Sequence, residues 1–304
     1  MTGTRFSSNA RRGLAVALLG LSGLLPGAAS GAQPLCRGEA DQREAAALYE
    51  QAGQQPGTPV AEQLLRRSIA LCPVFQNQLL LAETMLRLER YPEAEATASK
   101  ALQLAASPEN EIKGWVLVAD ARRDQNDWAG AKAAYEAAAK RVRGQAPAWF
   151  LDRYAAFEEA LYARGPLPAA DIARSLRSLK STGAVPRIGL RVEFAYDSAA
   201  LTDQGRKQLQ EVAKAMTDGG GGEDGLKVIG HTDQRGADAY NLALSQRRAQ
   251  AAVAELARLQ PELANRLQAE GRGKQEPQVP DAATEAQHAL NRRVEFEVLM
   301  GTAR

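Results

Sequence analysis

At about Arg187 the apolar residues of this 304-residue chain change their spacing, and that change constrains the fold more than any other feature. From about Glu39 to Ala163 the sequence is rich in Ala, Leu, Glu, Arg and Gln and poor in β-branched residues, which is helix-forming composition. From Arg187 the period becomes two. Ile188, Leu190, Val192 and Phe194 fall on one face and Arg191 and Glu193 on the other, as in a half-buried strand. Thr202 then stands where it can cap a helix whose stripe is Leu209, Val212, Ala213 and Met216. Leu226 to Gly230 reads as a second strand, Tyr240 to Leu259 as a second helix, and Val294, Phe296 and Val298 alternate in a final strand. The fold class expected is multidomain, an all-α part followed by an α/β part, and the length suits two cores. Gly165-Pro166-Leu167-Pro168 marks the break between them. A short amphipathic helix with Ile172 and Leu176 on one face follows it.

Within the helical part, Ala61, Leu65 and Ser68 are followed 33 positions later by Ala94, Ala98 and Ala101, and 37 further on by Ala131, Tyr135 and Ala138. Leu81, Ala82 and Met85 are mirrored by Trp115, Val116 and Ala119. Tyr91-Pro92-Glu93-Ala94 and Asp127-Trp128-Ala129-Gly130-Ala131 read as turns into second helices, with Pro92 in a first turn and Asp127 as a cap. A period near 34 residues resembles the tetratricopeptide helix-turn-helix unit. Stacked units of that kind imply a concave surface for a protein or peptide partner, with a spacer as the alternative, and the helix from Ala148 to Ala163 would cap the stack.

Arg5, Arg11 and Arg12 precede an apolar run from Gly13 to Leu25, and small residues follow to Ala32, the layout of a secretory leader. The run is shorter than the roughly 20 residues that span a bilayer, and Pro26 interrupts it. A retained anchor is the competing reading. Gln33-Pro34-Leu35 before Cys36 lacks the small residue expected ahead of a lipidated cysteine. Export would allow Cys36 and Cys72 to bond, with two free buried thiols as the alternative. With 38 Lys and Arg against 36 Asp and Glu, composition gives no reason to expect nucleic acid as a partner, and no second apolar span follows the leader.

Function concentrates in the last third. Phe194-Ala195-Tyr196-Asp197-Ser198 is followed by Leu201 and Gly205. Val228-Ile229-Gly230-His231-Thr232-Asp233 leads to Gly236, Tyr240-Asn241 and Leu244-Ser245-Gln246-Arg247-Arg248-Ala249. Gly271-Arg272-Gly273, Pro277 and Asn291-Arg292-Arg293-Val294-Glu295 close the set. In this order the segments resemble the OmpA-like peptidoglycan-binding family over roughly Arg187 to Met300. The resemblance implies an α/β OmpA-like domain that binds the diaminopimelate of the peptidoglycan stem peptide, with Asp233 taking its ammonium and Arg248 its carboxylate. It also implies that Tyr196, Asp197 and Ser198 line the pocket and that Leu244 packs beside it. The chemistry fits. Diaminopimelate presents an ammonium and a carboxylate on one carbon, and a guanidinium holds a carboxylate through two parallel hydrogen bonds as an ammonium cannot. Asn241, Ser245 and Arg248 share one helical stripe. Thr232 and Asn241 read as loop-fixing hydrogen bonders, Arg247 as a solvated residue, and Asn291 and Arg292 as structural.

The organisation expected is a secretory leader over 1–32, a tetratricopeptide-like helical repeat domain over 33–164, a linker with a short helix over 165–186 and the OmpA-like domain over 187–304. The location expected is periplasmic and wall-associated, with the outer membrane as a further possible association. No enzyme is expected. His231 has no neighbouring nucleophile motif, and Gly271-x-Gly273 lacks the third glycine of a dinucleotide loop. No cofactor is expected, and no metal, because His288 is far from His231 in sequence and both cysteines lie in the helical half. The alternative function is an envelope assembly adaptor in which the repeats dominate and the α/β domain is a scaffold with little wall affinity.

Overall fold

The computed structural model describes Cys36 and residues 38–142, 146–181, 186–217 and 224–299. The chain divides into two compact units, Met1–Ala32 and Gln33–Arg304. The expected leader lies outside the described residues, and everything below concerns the second unit.

Helices come first. They are α1 (Glu39–Gly53), α2 (Pro59–Leu71), α3 (Phe75–Arg87), α4 (Tyr91–Gln103), α5 (Pro108–Asp124), α6 (Trp128–Ala139), α7 (Ala148–Ala163) and α8 (Ala169–Ser181). The first six pair as hairpins, α1 with α2, α3 with α4 and α5 with α6, and successive hairpins pack on one another. Starts are set by side chains that accept the free amides of a first turn: Thr58 from Ala61, Ser107 from Asn110 and Asp127 from Gly130. The recurring positions fill the stack, since Ala61, Leu65, Ala94, Ala98, Ala131 and Tyr135 are all buried. Cys36 and Cys72 are joined by a disulfide. It closes a loop of 36 residues at the start of the stack, a restraint on the unfolded chain of about 4 kcal/mol in the chain-entropy model.

The α/β part contains β1 (Arg187–Leu190), α9 (Asp203–Ala215), β2 (Gly225–Gly230), α10 (Asp238–Leu259), β3 (Leu267–Gly271), α11 (Glu285–Asn291) and β4 (Val294–Leu299). The sheet order is β1-β4-β2-β3, with β4 antiparallel to both its neighbours and β2 parallel to β3. Thr202 caps α9 by accepting from Gly205, and Leu209, Val212, Ala213 and Met216 are buried along its stripe. On β4, Val294, Phe296 and Val298 are buried, as the alternation implies.

The intervening residues Glu295 and Glu297 are buried as well. Arg187 bonds both, Arg293 bonds Glu295, and the buried His231 ring lies 3.6 Å from it. Burial raises the Glu295 carboxyl, but the neighbouring His231 ring and Arg293 outweigh it and hold the group well below the usual carboxylate range. This polar layer meets the helical half. Gly189 of β1 faces it, and a Cβ there would lie 3.3 Å from a Glu136 carboxylate oxygen on α6. From α7, the Tyr154 hydroxyl donates to Gln278 at 3.2 Å, and α7 packs on α11. Lys132 of α6 is buried between Glu136 and Glu158. Helix α8 packs on α6, α9 and β1, with Ile172 and Leu176 buried. One hydrophobic core therefore runs from α3 to β4.

A continuous core makes unfolding cooperative across both halves. Tyr154 is fully buried, stacks on Tyr135 at 5.3 Å between centroids and touches Phe150 at 5.9 Å. Tyr154→Ala is expected to cost about 3–5 kcal/mol. The three tryptophans, Trp115, Trp128 and Trp149, all report on the helices. Their fluorescence and the amide exchange of β4 should lose stability together. Two separate transitions would contradict the shared core.

Candidate functional site

The candidate site is built where α10 meets the ends of β2 and β3. A Cβ at Gly230 would collide with the Ser245 carbonyl oxygen, and one at Gly271 with the backbone of Gln246. These two glycines let the helix sit directly on the strand ends. Gln246 locks the contact by accepting from the Gly271 amide at 2.6 Å. The Ser245 hydroxyl accepts from the Gly273 amide at 2.8 Å and donates to the Leu242 carbonyl at 2.9 Å.

The loop leaving β2 is stitched to both neighbours. The His231 amide donates to the Arg293 carbonyl at 3.0 Å and the Thr232 amide to the Gly273 carbonyl at 2.8 Å. Asn241 donates to the Arg235 carbonyl at 2.7 Å, the loop-fixing role expected of it. Thr232 does its fixing through the backbone, because its buried hydroxyl has no hydrogen-bond partner. Asn291 bonds Gln234 and both backbone polar groups of Val279, tying the loop to the segment before α11.

Asp233 is 7% exposed. One carboxylate oxygen accepts from the Arg235 amide at 3.1 Å. The other accepts from the Arg235 side chain at 2.6 and 3.3 Å and from Arg292 at 2.8 Å. Burial works to raise its pKa, but the bonds from Arg235 and Arg292 prevail and hold it at about 2.

Arg248 lies across from this loop. Its Nε donates to the Ser198 carbonyl at 3.0 Å and its guanidinium stands 5.2 Å from the Phe194 ring centroid. Burial lowers its pKa. The carboxylates of Asp197 and Asp233 and the Tyr240 hydroxyl work against that lowering, and Arg292 adds to it. No carboxylate among the described residues bonds it, and no ion pair joins it to Asp233. The arrangement is a partly desolvated guanidinium with its terminal nitrogens free, near an acid already held by other cations.

The remaining candidates divide. Ser198 lends its carbonyl to Arg248, and its hydroxyl accepts from the Ala200 amide at 3.0 Å. Asp197, at a positive φ of 50°, accepts from the Tyr240 hydroxyl. Leu244 is buried under the site. Tyr196 stands 99% exposed at the rim. Sequence reasoning missed the grip on Asp233. Arg292, expected to be structural, binds it directly from 59 residues away, and Arg235 binds it from two residues away. The second has a local signal, since an Asp commonly accepts from the amide two residues on.

Fold and site together define an α/β module that presents an acid and a free guanidinium beside the ends of β2 and β3. The family described as OmpA family matches residues 193–292, and this segment is an OmpA family domain. Outer membrane porin F of Pseudomonas fluorescens is 38% identical over 116 residues, covering 38% of this chain and 34% of that protein. The peptidoglycan-associated lipoprotein of Legionella pneumophila is 36% identical over 103 residues, covering 34% of this chain and 56% of that protein. Among solved structures, the peptidoglycan-associated lipoprotein of Burkholderia pseudomallei is 33% identical, covering 35% of this chain and 87% of that one, with a TM-score of 0.31. The chain thus spans between about a third and just over half of the curated relatives it matches.

The depressed Asp233 pKa has a definite sign. An unfolded aspartate titrates near 3.9, so the stability that Asp233 contributes is full above about pH 4 and lost as pH falls through about 2. The stability difference between the protein and Asp233→Asn should follow that course. Carboxyl carbon NMR should place the Asp233 midpoint near 2, and an ordinary midpoint would contradict the paired geometry.

Proposed function

We propose that this chain is a non-catalytic cell-envelope protein that holds peptidoglycan non-covalently through the diaminopimelate of the stem peptide. The observation that carries the reading is Arg248. A guanidinium partly withdrawn from water with no carboxylate beside it is costly unless an anion arrives, and its planar fork suits a carboxylate bound through two nitrogens. Asp233 on the facing loop supplies the acid for the ammonium on the same ligand carbon. Thr232, Asn241 and Leu244 hold the loop and helix in place, while Tyr196, Asp197 and Ser198 form the opposite wall.

The relatives' names, outer membrane porin F and peptidoglycan-associated lipoprotein, support a periplasmic, wall-associated location. No helix among the described residues is long and apolar enough to cross a membrane. In this reading the helical half binds a partner protein.

Co-sedimentation of Gln33–Arg304 with insoluble diaminopimelate-type peptidoglycan tests the proposal. The protein should pellet, while Arg248→Ala and Asp233→Ala, checked for native circular dichroism, should bind more than tenfold more weakly, since truncating one member of a buried charge pair costs about 2–5 kcal/mol. A folded protein that stays in the supernatant, or an Arg248→Ala form that pellets equally, would sink the reading and leave the assembly-adaptor alternative.

A further inference from the structure

Asp233 and Glu285 are bridged twice. Arg235 contacts Asp233 at 2.6 Å and Glu285 at 3.0 Å, and Arg292 contacts Asp233 at 2.8 Å and Glu285 at 2.6 Å. Two cations and two anions thus form a closed ring at the mouth of the site. The two arginines are not equivalent. Arg292 follows Asn291, which is fully buried and bonded to Val279 and Gln234, and it immediately precedes the Arg293 whose carbonyl holds His231. Its backbone is fixed on both sides. The Arg235 side chain is 55% exposed, on a loop that turns through Gly236 at a positive φ of 85°. It also has a second carboxylate already in contact, so it can leave Asp233 without losing every partner.

An ammonium approaching Asp233 meets this side chain. The Asp233 oxygen that takes Arg292 also takes two nitrogens of Arg235, so an ammonium bound at that oxygen has to displace one of them. We infer that Arg235 is a specificity-determining residue, an internal cation that occupies the ammonium's place on Asp233 and must release it, keeping only its contact with Glu285, before a ligand is admitted. The inference rests on the diaminopimelate reading above and adds a competitor to it. Displacement weakens every ammonium ligand by the same factor. A ligand bringing only an amine then gains too little to hold, whereas one that also gives Arg248 a carboxylate stays bound. The competition belongs to the side chain alone. The Arg235 amide on Asp233 and the Asn241 bond to the Arg235 carbonyl are backbone contacts that survive truncation.

The test is calorimetric titration of Gln33–Arg304 and its Arg235→Ala form with a diaminopimelate-containing stem tripeptide, and with the same tripeptide acetylated on the side-chain amine. Arg248→Ala serves as the control for the site. Arg235→Ala should bind the free-amine peptide roughly two- to fivefold more tightly, the range set by loss of one exposed ion pair. It should gain nothing for the acetylated peptide, and the Asp233 carboxyl should titrate higher in the variant. Unchanged or weaker binding of the free-amine peptide, with Arg248→Ala still abolishing it, would overturn the competitor and leave the wall-binding reading standing. An equal gain for both peptides would overturn it too, by showing that the ammonium is not what Arg235 excludes. If the unaltered protein binds neither peptide, the wall-binding reading falls and the competitor falls with it.

Discussion

The site depends on how closely α10 approaches the sheet. Arg248 lies one helical turn beyond Ser245, whose carbonyl touches Gly230 and whose hydroxyl holds Gly273. Any side chain at Gly230 or Gly271 would lift the helix and carry Arg248 away from the loop that holds Asp233. The two charges come from different elements and make no direct bond. Their separation is therefore set by packing rather than by mutual attraction. That suits a receptor, because two charges collapsed onto each other would have no capacity left for a ligand.

The second dependence runs across the seam between the halves. An antiparallel sheet often leaves one face to water, and the glutamates of β4 would suit such a face. Here α6 and α7 cover it, and the layer between them is polar: Arg187, Arg293, Glu295 and Glu297 meet Tyr154, Gln278, Glu136 and Lys132. Buried charges are tolerated when paired and costly when stranded. Most members of this layer are paired, although one nitrogen each of His231 and Arg293 and one oxygen of Glu136 have no hydrogen-bond partner. The layer also touches the binding loop, because His231 and Arg293 neighbour Asp233 and Arg292 in sequence. Through it the helical half is physically continuous with the site, although no hydrogen bond or ion pair among the described residues joins its side chains to Asp233 or Arg248.

Local signals were legible in the sequence because they act locally. Thr202 and Asp127 cap the helices assigned to them, and the boundaries of α7 coincide with those expected from Ala148 to Ala163. Strand β3 was not legible. Leu267-Gln-Ala-Glu-Gly alternates apolar with polar residues over only four positions and has no β-branched residue, and pairing with β2 is what makes it a strand. The burial of Glu295 and Glu297 was equally hidden, since it depends on helices more than 100 residues upstream. At the site, motif order brought Asp233 and Arg248 forward as a pair. That Arg235 and Arg292 already hold Asp233 follows from tertiary geometry that spacing does not encode.

Chemical-shift mapping with a diaminopimelate-containing stem tripeptide on labelled Gln33–Arg304 tests the central claim most directly. The account predicts that the Arg248 Nε–Hε signal moves, together with amides of residues 196–198 and 232–235, while amides of α1 to α4 stay fixed. Shifts confined to the helices, or none at all at saturating peptide, would contradict it.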